Sequence, residues 1–265
     1  MINPAGGIVY HTRALRYRNT LWRAFREETH QWLSEWNPAE QDLLIVGSSG
    51  GYCLQPDFLS RFRSITALDP DPLTRFILRK RFARSFEWDR EDYFFSKRGH
   101  LSPVGIEKMV RRYPSHAILF SNFLGQLRCL DNLLDKPERF ADWKVTFREC
   151  LERAGSWASF HDRLSGNLEP LISASNSSSS DLVTDSGLVD RFYPSSTRAS
   201  GTQTHELLDH LTGDLFPGFA RRFLKWELTP GRFHLIEAVH SNGSAQQLGK
   251  KLSAESASRE VSSLG

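Results

Sequence analysis

The sequence predicts an α/β fold in which helices cover both faces of a mostly parallel sheet. Short unbroken apolar runs such as residues 43–46 are typical of strands that are buried on both faces. Helix-like segments alternate with these runs through residues 42–166, which is the pattern of parallel strands joined by helices. Near the end, two alternating runs flank Pro230 and Gly231, and this arrangement indicates an antiparallel hairpin.

The composition suits one sizeable folded domain. The chain has 265 residues, of which 39% are hydrophobic, and a net charge of +3 that is too small to indicate nucleic acid as a partner. Apolar runs stay far below the roughly 20 residues that a membrane helix needs, and the first residues do not look like a secretion signal. The three cysteines lack CxxC spacing, so we expect neither a disulfide framework nor a zinc cluster. A cytoplasmic protein is expected.

Residues 1–41 are predicted to form an N-terminal helical extension. Apolar residues recur there at roughly helical spacing, and the helix should end before Pro38. The residues of this face are Leu15, Trp22, Phe25, Trp32 and Trp36. We expect the tryptophan side of the helix to pack on the following domain.

The main domain is predicted to span residues 42–240. Strands are expected at residues 43–46, 64–68, 86–95, 117–120, 157–162, 223–228 and 233–240, and helices from Pro72 onward and at residues 106–113, 141–154 and 204–211. The serine-rich residues 167–202 are expected to form a loop, and residues 241–265 a flexible polar tail. The prediction is a Rossmann-like three-layer sandwich whose seven-stranded sheet ends in the antiparallel hairpin.

A glycine-rich turn directly after the first strand is the most informative motif. It consists of Gly47, Ser48, Ser49, Gly50 and Gly51. Glycine lets a ligand approach the backbone, and a helix that starts beyond such a turn points free N–H groups at the ligand. Asp69 ends the next strand about 20 residues later, where nucleotide-binding α/β folds bind a ribose hydroxyl. The two features predict a nucleotide site, whereas a tight turn with a capping aspartate is the structural alternative.

Three stretches, residues 43–54, 65–70 and 118–125, resemble the consecutive cofactor motifs of class I S-adenosylmethionine (SAM)-dependent methyltransferases. The resemblance implies SAM as cofactor and methyl transfer to an unknown small-molecule acceptor. By this similarity the glycine-rich turn would face the methionine part, Asp69 with Pro70 would hold the ribose, and Asp92 would meet the adenine.

Two further positions at strand ends are candidates for the same site. Ser121 and Asn122 end the fourth strand, so Ser121 is expected beside the cofactor and Asn122 is expected to hold a polar substrate atom or to cap the next helix. His161 ends the fifth strand and is a candidate general base. A base is needed only if the acceptor must lose a proton, because alignment is otherwise the main contribution to methyl transfer.

Two other functions fit parts of the sequence. Ile45 and Ser49 stand where the family has an acid and its middle glycine, which favours a non-catalytic cofactor-binding or scaffold protein. Residues 47–51 also match the GxSxG motif of serine hydrolases, with Ser49 as nucleophile and Asp162 with His234 or His240 as partners. The helical character of the residues before the motif argues against a hydrolase, and GxGxxG, which a nicotinamide dehydrogenase prefers, is absent.

Overall fold

The computed structural model describes residues 7–130, 137–173, 178–179, 185–194 and 207–243. Most of the predicted polar tail and part of the predicted serine-rich loop lie outside these residues. The helices are α1 (Gly7–Tyr17), α2 (Arg23–Glu35), α3 (Pro56–Ser60), α4 (Pro72–Phe82), α5 (Pro103–Arg112), α6 (Leu127–Leu130), α7 (Pro137–Arg153) and α8 (Asp185–Phe192). No helix in the described part of the chain has the length and apolar character to cross a membrane.

The strands form one mixed sheet. They are β1 (Asp42–Val46), β2 (Ser64–Leu68), β3 (Glu87–Asp89), β4 (His116–Ser121), β5 (Trp157–Gly166), β6 (Ser178–Ser179), β7 (Leu207–Asp209), β8 (Arg221–Thr229) and β9 (Arg232–Ser241). Their order is β3-β2-β1-β4-β5-β9-β8-β6, and β7 pairs with β5 outside this path. Strands β1 to β5 run parallel, while β9 is antiparallel to both β5 and β8.

The predicted fold class is confirmed. The seven predicted strands correspond to β1–β5, β8 and β9, and the closing hairpin turns between Thr229 and Arg232. The prediction of a helix at residues 204–211 is wrong where the structure describes it, because Leu207–Asp209 is strand β7. Strand β5 extends beyond its pairing with β4, so its last residues have an open edge that β7 covers.

Alternate residues of the central strands enter two separate core layers. Leu43 and Ile45 of β1 pack into the layer that contains Trp22 and Trp32 of the N-terminal segment. Leu44 and Val46 enter the opposite layer, whose members include Trp143, Phe147 and Trp157. Because side chains alternate across a strand, an unbroken apolar strand fills both layers at once.

The N-terminal helices pack on the sheet, as expected. The indole N–H of Trp22 donates to the Leu228 carbonyl over 3.0 Å, and that of Trp36 donates to the Ser241 carbonyl over 3.1 Å. Leu15 differs from its expected place on the apolar face, since 66% of its surface is exposed. The predicted single periodic face breaks because the chain turns between α1 and α2, so that each helix has its own buried side.

Candidate functional site

The glycine-rich turn has a backbone that ordinary residues rarely adopt. Gly47, Gly50 and Gly51 have φ values of +73°, +75° and +64°, and Ser49 lies at +44°. A Cβ atom on Gly47 would stand 2.8 Å from the Cβ of Phe123. Glycine is therefore required at Gly47 both by the left-handed backbone and by the close approach of Phe123.

The carboxylate of Asp69, at the end of β2, holds this turn in place. Its Oδ2 accepts hydrogen bonds from the Ser49 backbone N–H over 2.6 Å and from the Ser48 hydroxyl over 3.1 Å. Its Oδ1 accepts from the Asp71 N–H over 2.9 Å. Burial raises the pKa of Asp69, and these hydrogen bonds oppose the rise. A carboxylate offers about four lone pairs, so Oδ1 can still accept one bond from a ligand.

A cavity of about 410 Å³ lies beyond the ends of β2 and β3, and we call it the β2–β3 cavity. The residues around it include Asp69, Pro70, Asp89, Asp92, Phe94 and Phe123. Two of its walls are aromatic, with the Phe94 and Phe123 rings 4.4 Å apart in an edge-to-face arrangement. Its volume and its mixture of apolar walls with a few polar groups are typical of small-molecule sites.

Two further aspartates border the β2–β3 cavity. Asp92 stabilises its own loop, because its Oδ1 accepts from the N–H groups of Phe94 and Phe95. Asp89 was missed by the sequence analysis, although it ends β3 much as Asp69 ends β2. Burial opposes its charge, but hydrogen bonds from the hydroxyls of Tyr113 and Tyr93, at 2.6 and 2.7 Å, hold the pKa of Asp89 below its usual range.

A second cavity, of about 270 Å³, opens at the ends of β4 and β5, and we call it the β4–β5 cavity. Asn122 reaches it from a left-handed backbone with φ of +50°. Its amide oxygen is buried and accepts no hydrogen bond from any described residue, so it is available to a ligand. Ser121, one residue earlier, is buried and lines neither cavity.

A cluster of which the sequence analysis named only Asp162 and His234, as possible hydrolase partners, lines the β4–β5 cavity. Asp162 Oδ1 lies 2.7 Å from Nδ1 of His234, a residue of β9. His210 lies beside them, with its Nδ1 2.7 Å from the Gly125 carbonyl and its Nε2 3.0 Å from the Ser165 hydroxyl. Burial opposes the charge of Asp162, yet His234 lowers the pKa of the carboxyl. We call Asp162, His210 and His234 the Asp–His cluster.

His161 lies outside both cavities. Its ring is completely buried 5.5 Å from that of Phe216, and its Nδ1 is 2.9 Å from the Ser159 hydroxyl. Burial lowers the pKa of His161 to about 3, so the ring is neutral near pH 7. Because neighbouring strand residues point to opposite faces, Asp162 enters the β4–β5 cavity and His161 does not.

The residues named for the two alternative functions are also placed. Among the described residues, no hydrogen bond joins Ser49 to a histidine, while Asp162 pairs with His234. The His240 ring lies 5.8 Å from that of Trp32, away from the glycine-rich turn. Ile45 is fully buried in the core, so an apolar side chain stands at the position where the resembled family has an acid.

The sheet has the strand order of a Rossmann-like fold, as the sequence predicts. Its order is β3-β2-β1-β4-β5 followed by the antiparallel pair β9 and β8. It is the predicted Rossmann-like α/β arrangement, a mostly parallel sheet that ends in an antiparallel hairpin. The glycine-rich turn and Asp69 lie side by side at the carboxyl edge of the parallel strands, where open α/β sheets bind their ligands.

Comparisons with known proteins add only distant similarities in fold. No protein-family model matches the sequence, and no curated protein is detectably similar to it. A SAM-dependent methyltransferase from Anabaena variabilis is 13% identical with a TM-score of 0.42, covering 87% of this chain and 91% of its own. The N-methyltransferase NodS from Bradyrhizobium japonicum, in complex with S-adenosylhomocysteine (SAH), is 10% identical with a TM-score of 0.40 over 84% and 88%. The protein DhpI in a SAM-HEP complex is 13% identical with a TM-score of 0.38 over 93% and 85%.

Proposed function

We propose that the protein is a SAM-dependent methyltransferase that acts on a small-molecule acceptor. The observation that carries this proposal is the loop after β4. Its neighbouring residues Asn122 and Phe123 line two different cavities, so this loop separates a nucleoside-sized space from the cavity that contains the Asp–His cluster. A group-transfer enzyme needs such a pair of adjacent sites, one for the donor and one for the acceptor.

The β2–β3 cavity supplies suitable partners for an adenosyl group. The remaining lone pair of Asp69 Oδ1 would accept a ribose hydroxyl. Asp92 or Asp89 would accept from the adenine amino group, and the rings of Phe94 and Phe123 would contact its faces. The glycine-rich turn would lie toward the methionine part, beyond the residues that line this cavity, with Pro70 beside the ribose.

The β4–β5 cavity would hold the acceptor. Bound SAM would supply a methyl group on a sulfonium: a lone pair on an acceptor oxygen or nitrogen would bond to the methyl carbon while the carbon–sulfur bond breaks with its electron pair left on sulfur. The acceptor would then release its proton to solvent, and SAH would be the second product. Asn122, with its buried and unpartnered amide oxygen, would orient the acceptor through a hydrogen bond.

Binding of SAH tests this proposal directly. We expect titration calorimetry to detect saturable binding of SAH and SAM but not of NAD, and both ligands to raise the melting temperature. Asp69→Asn should weaken SAH binding at least about tenfold, because loss of one hydrogen bond to a charged group corresponds to about 1.5–3 kcal/mol. Asp57→Asn on the exposed first turn of α3 is the matched control. Absence of SAH binding to the wild-type protein would refute the proposal.

A non-catalytic protein with the same cofactor site is a second candidate. The specific observation in its favour is Ile45, which leaves the turn without the carboxylate that the family uses. Under this candidate SAH binds and Asp69→Asn weakens it, but incubation with labelled SAM and a panel of hydroxyl and amine acceptors transfers no methyl group. Transfer to any acceptor, followed by mass spectrometry, would exclude it.

A further inference from the structure

We propose that Asp162, His210 and His234 bind one divalent transition-metal ion in the β4–β5 cavity. Each residue offers one donor atom, and the three atoms all lie within 4.8 Å of one another. They come from three different places in the chain, namely the middle of β5, the residue after β7 and the start of β9. Two imidazoles and one carboxylate are a donor set typical of zinc and non-haem iron sites with open coordination positions.

The surroundings of His210 are those of a metal ligand. Its Nδ1 lies 2.7 Å from the Gly125 carbonyl, which fixes Nδ1 as the protonated nitrogen because a carbonyl can only accept. Nε2 then carries the lone pair that can bind a metal, and its only hydrogen-bond partner among the described residues is the Ser165 hydroxyl, which can rotate away. Metal-binding histidines regularly donate their second N–H to a backbone carbonyl or a carboxylate in this way.

The charge of Asp162 provides a second and independent argument. Only 5% of its side chain is exposed, and its one ion-pair partner among the described residues is His234. The adjacent Arg163 is directed elsewhere, toward Asp209 and Glu237. A buried carboxylate is costly unless a cation compensates it, and a divalent ion between Asp162 and the two imidazoles would do so.

The loop after β4 passes very close to Asp162 at Gly125. A Cβ atom on Gly125 would lie 2.6 Å from the Cβ of Asp162 and 2.8 Å from its backbone nitrogen. Glycine therefore permits the loop after β4 to approach β5 closely. The same loop carries the carbonyl that orients His210 and the unpartnered amide oxygen of Asn122, so a ligand on an open coordination position could also contact Asn122.

The donor set also indicates which ions should bind. Imidazole nitrogens suit Zn²⁺, Co²⁺ and Fe²⁺, whereas Mg²⁺ prefers oxygen ligands and water. Metal binding does not depend on the proposed function, but its role does. In a methyltransferase, the metal would lower the pKa of an acceptor hydroxyl that coordinates it, and the proton would go to solvent. The resulting oxygen anion would be the nucleophile for the methyl carbon.

Titration of the tag-free full-length protein with metal ions tests the site. After removal of metals with a chelator, calorimetry should give one saturable Zn²⁺ site per chain, and Mg²⁺ at the same concentration should give none. X-ray absorption of the zinc-loaded protein should show nitrogen and oxygen ligands at about 2.0–2.1 Å, with outer-shell scattering from two imidazoles. Sulfur ligands in that spectrum, or no saturable binding, would overturn the proposal.

Matched variants show whether Zn²⁺ binds at the Asp–His cluster or at other histidines. His210→Gln, His234→Gln and Asp162→Asn should each weaken Zn²⁺ binding more than about tenfold, because each removes one ligand or its charge. His240→Gln makes the same change on the same strand as His234 but outside the Asp–His cluster, and should leave the affinity unchanged. Equal Zn²⁺ affinity in all four variants would contradict the proposal.

SAH binding to the same variants distinguishes a failure of this proposal from a failure of the proposed function. The Asp–His cluster lines the β4–β5 cavity and not the β2–β3 cavity, so the variants should bind SAH as the wild-type protein does. Circular dichroism confirms that each variant is folded. If the wild-type protein binds SAH but not Zn²⁺, only the proposal of a metal site is refuted. If it binds Zn²⁺ but not SAH, only the proposed methyltransferase function is refuted.

Discussion

At the residue scale, the glycine-rich turn has a left-handed backbone and also donates hydrogen bonds to the carboxylate of Asp69. Its left-handed backbone is predictable from the glycines, and so is an acid at the end of the following strand. The sequence could not show that Asp69 accepts hydrogen bonds from the turn itself, nor that Phe123 contacts Gly47. Both contacts join residues from different strands, and no local pattern records them.

A Cβ atom at Gly47 should be more harmful than one at another left-handed glycine. Gly47→Ala meets both the backbone penalty and the contact with Phe123, so we expect a loss of about 2–4 kcal/mol in the free energy of unfolding. Gly231 in the hairpin has φ of +71° with no atom within 4 Å of an added Cβ. Gly231→Ala should therefore cost only about 1–2 kcal/mol. Urea denaturation of both variants measures the difference, and equal losses would show that the Phe123 contact is unimportant.

The Asp–His cluster illustrates what sequence patterns miss. Metal motifs are recognised when ligands lie a few residues apart, but His210 and His234 are brought to Asp162 only by the pairing of β7 and β9 with β5. The His161-Asp162 pair did indicate this part of β5. Which of the two side chains enters the cavity depends on the side-chain alternation along β5, and the sequence analysis selected His161.

At the element scale, helix α2 contributes an aromatic face to the sheet. The Phe25 ring stacks on that of Trp226 at 4.8 Å with an angle of 14° and meets Phe160 edge to face at 6.3 Å. This face was predictable from the spacing of Phe25 and Trp32. The exposure of Leu15 was not, because the break between α1 and α2 contains neither proline nor glycine to signal it.

Removal of the Phe25 ring should therefore be strongly destabilising. Phe25→Ala leaves a cavity between α2 and β8, and we expect a loss of about 3–5 kcal/mol in the free energy of unfolding. Leu15→Ala deletes an apolar side chain that is already 66% exposed, so its effect should stay within about 0.5 kcal/mol. Chemical denaturation monitored by far-UV circular dichroism measures both. A small effect for Phe25→Ala would mean that α2 is not part of the cooperative core.

At the scale of the whole molecule, histidines held neutral by burial make the fold sensitive to acid. Burial lowers the pKa values of His116 on β4 and His240 on β9 below their usual 6.5. The unfolded chain therefore binds more protons than the folded one once the pH falls below about 6.5, and stability declines with it. Above that pH both histidines are neutral in the folded and in the unfolded state, so they cause no loss in the free energy of unfolding.

Melting temperatures between pH 8 and pH 5 check this expectation. The wild-type protein should change little from pH 8 to 7 and then lose stability as the pH falls through 6.5. His240→Gln cannot take up a proton, so its melting temperature should fall less steeply over the same window. Other titrating groups are common to both proteins and cancel in the comparison. Identical slopes would show that His240 is not held neutral in the folded state.

The order of strands and helices was easier to predict from the sequence than the contacts between individual residues. Apolar runs identified the central strands, and Pro230-Gly231 identified the closing hairpin, because both signals are local. The short strand β7 escaped prediction since its leucines fit either a helix or a strand. Its conformation is decided by the edge that the end of β5 leaves open, which is a property of the assembled sheet.

The two indole hydrogen bonds of the N-terminal segment join residues that are far apart in the chain. Trp22 is synthesised 206 residues before its carbonyl partner Leu228, and Trp36 is synthesised 205 residues before Ser241. Neither hydrogen bond can form until β8 and β9 have been synthesised. Contacts between residues so far apart in sequence are expected to form late in folding.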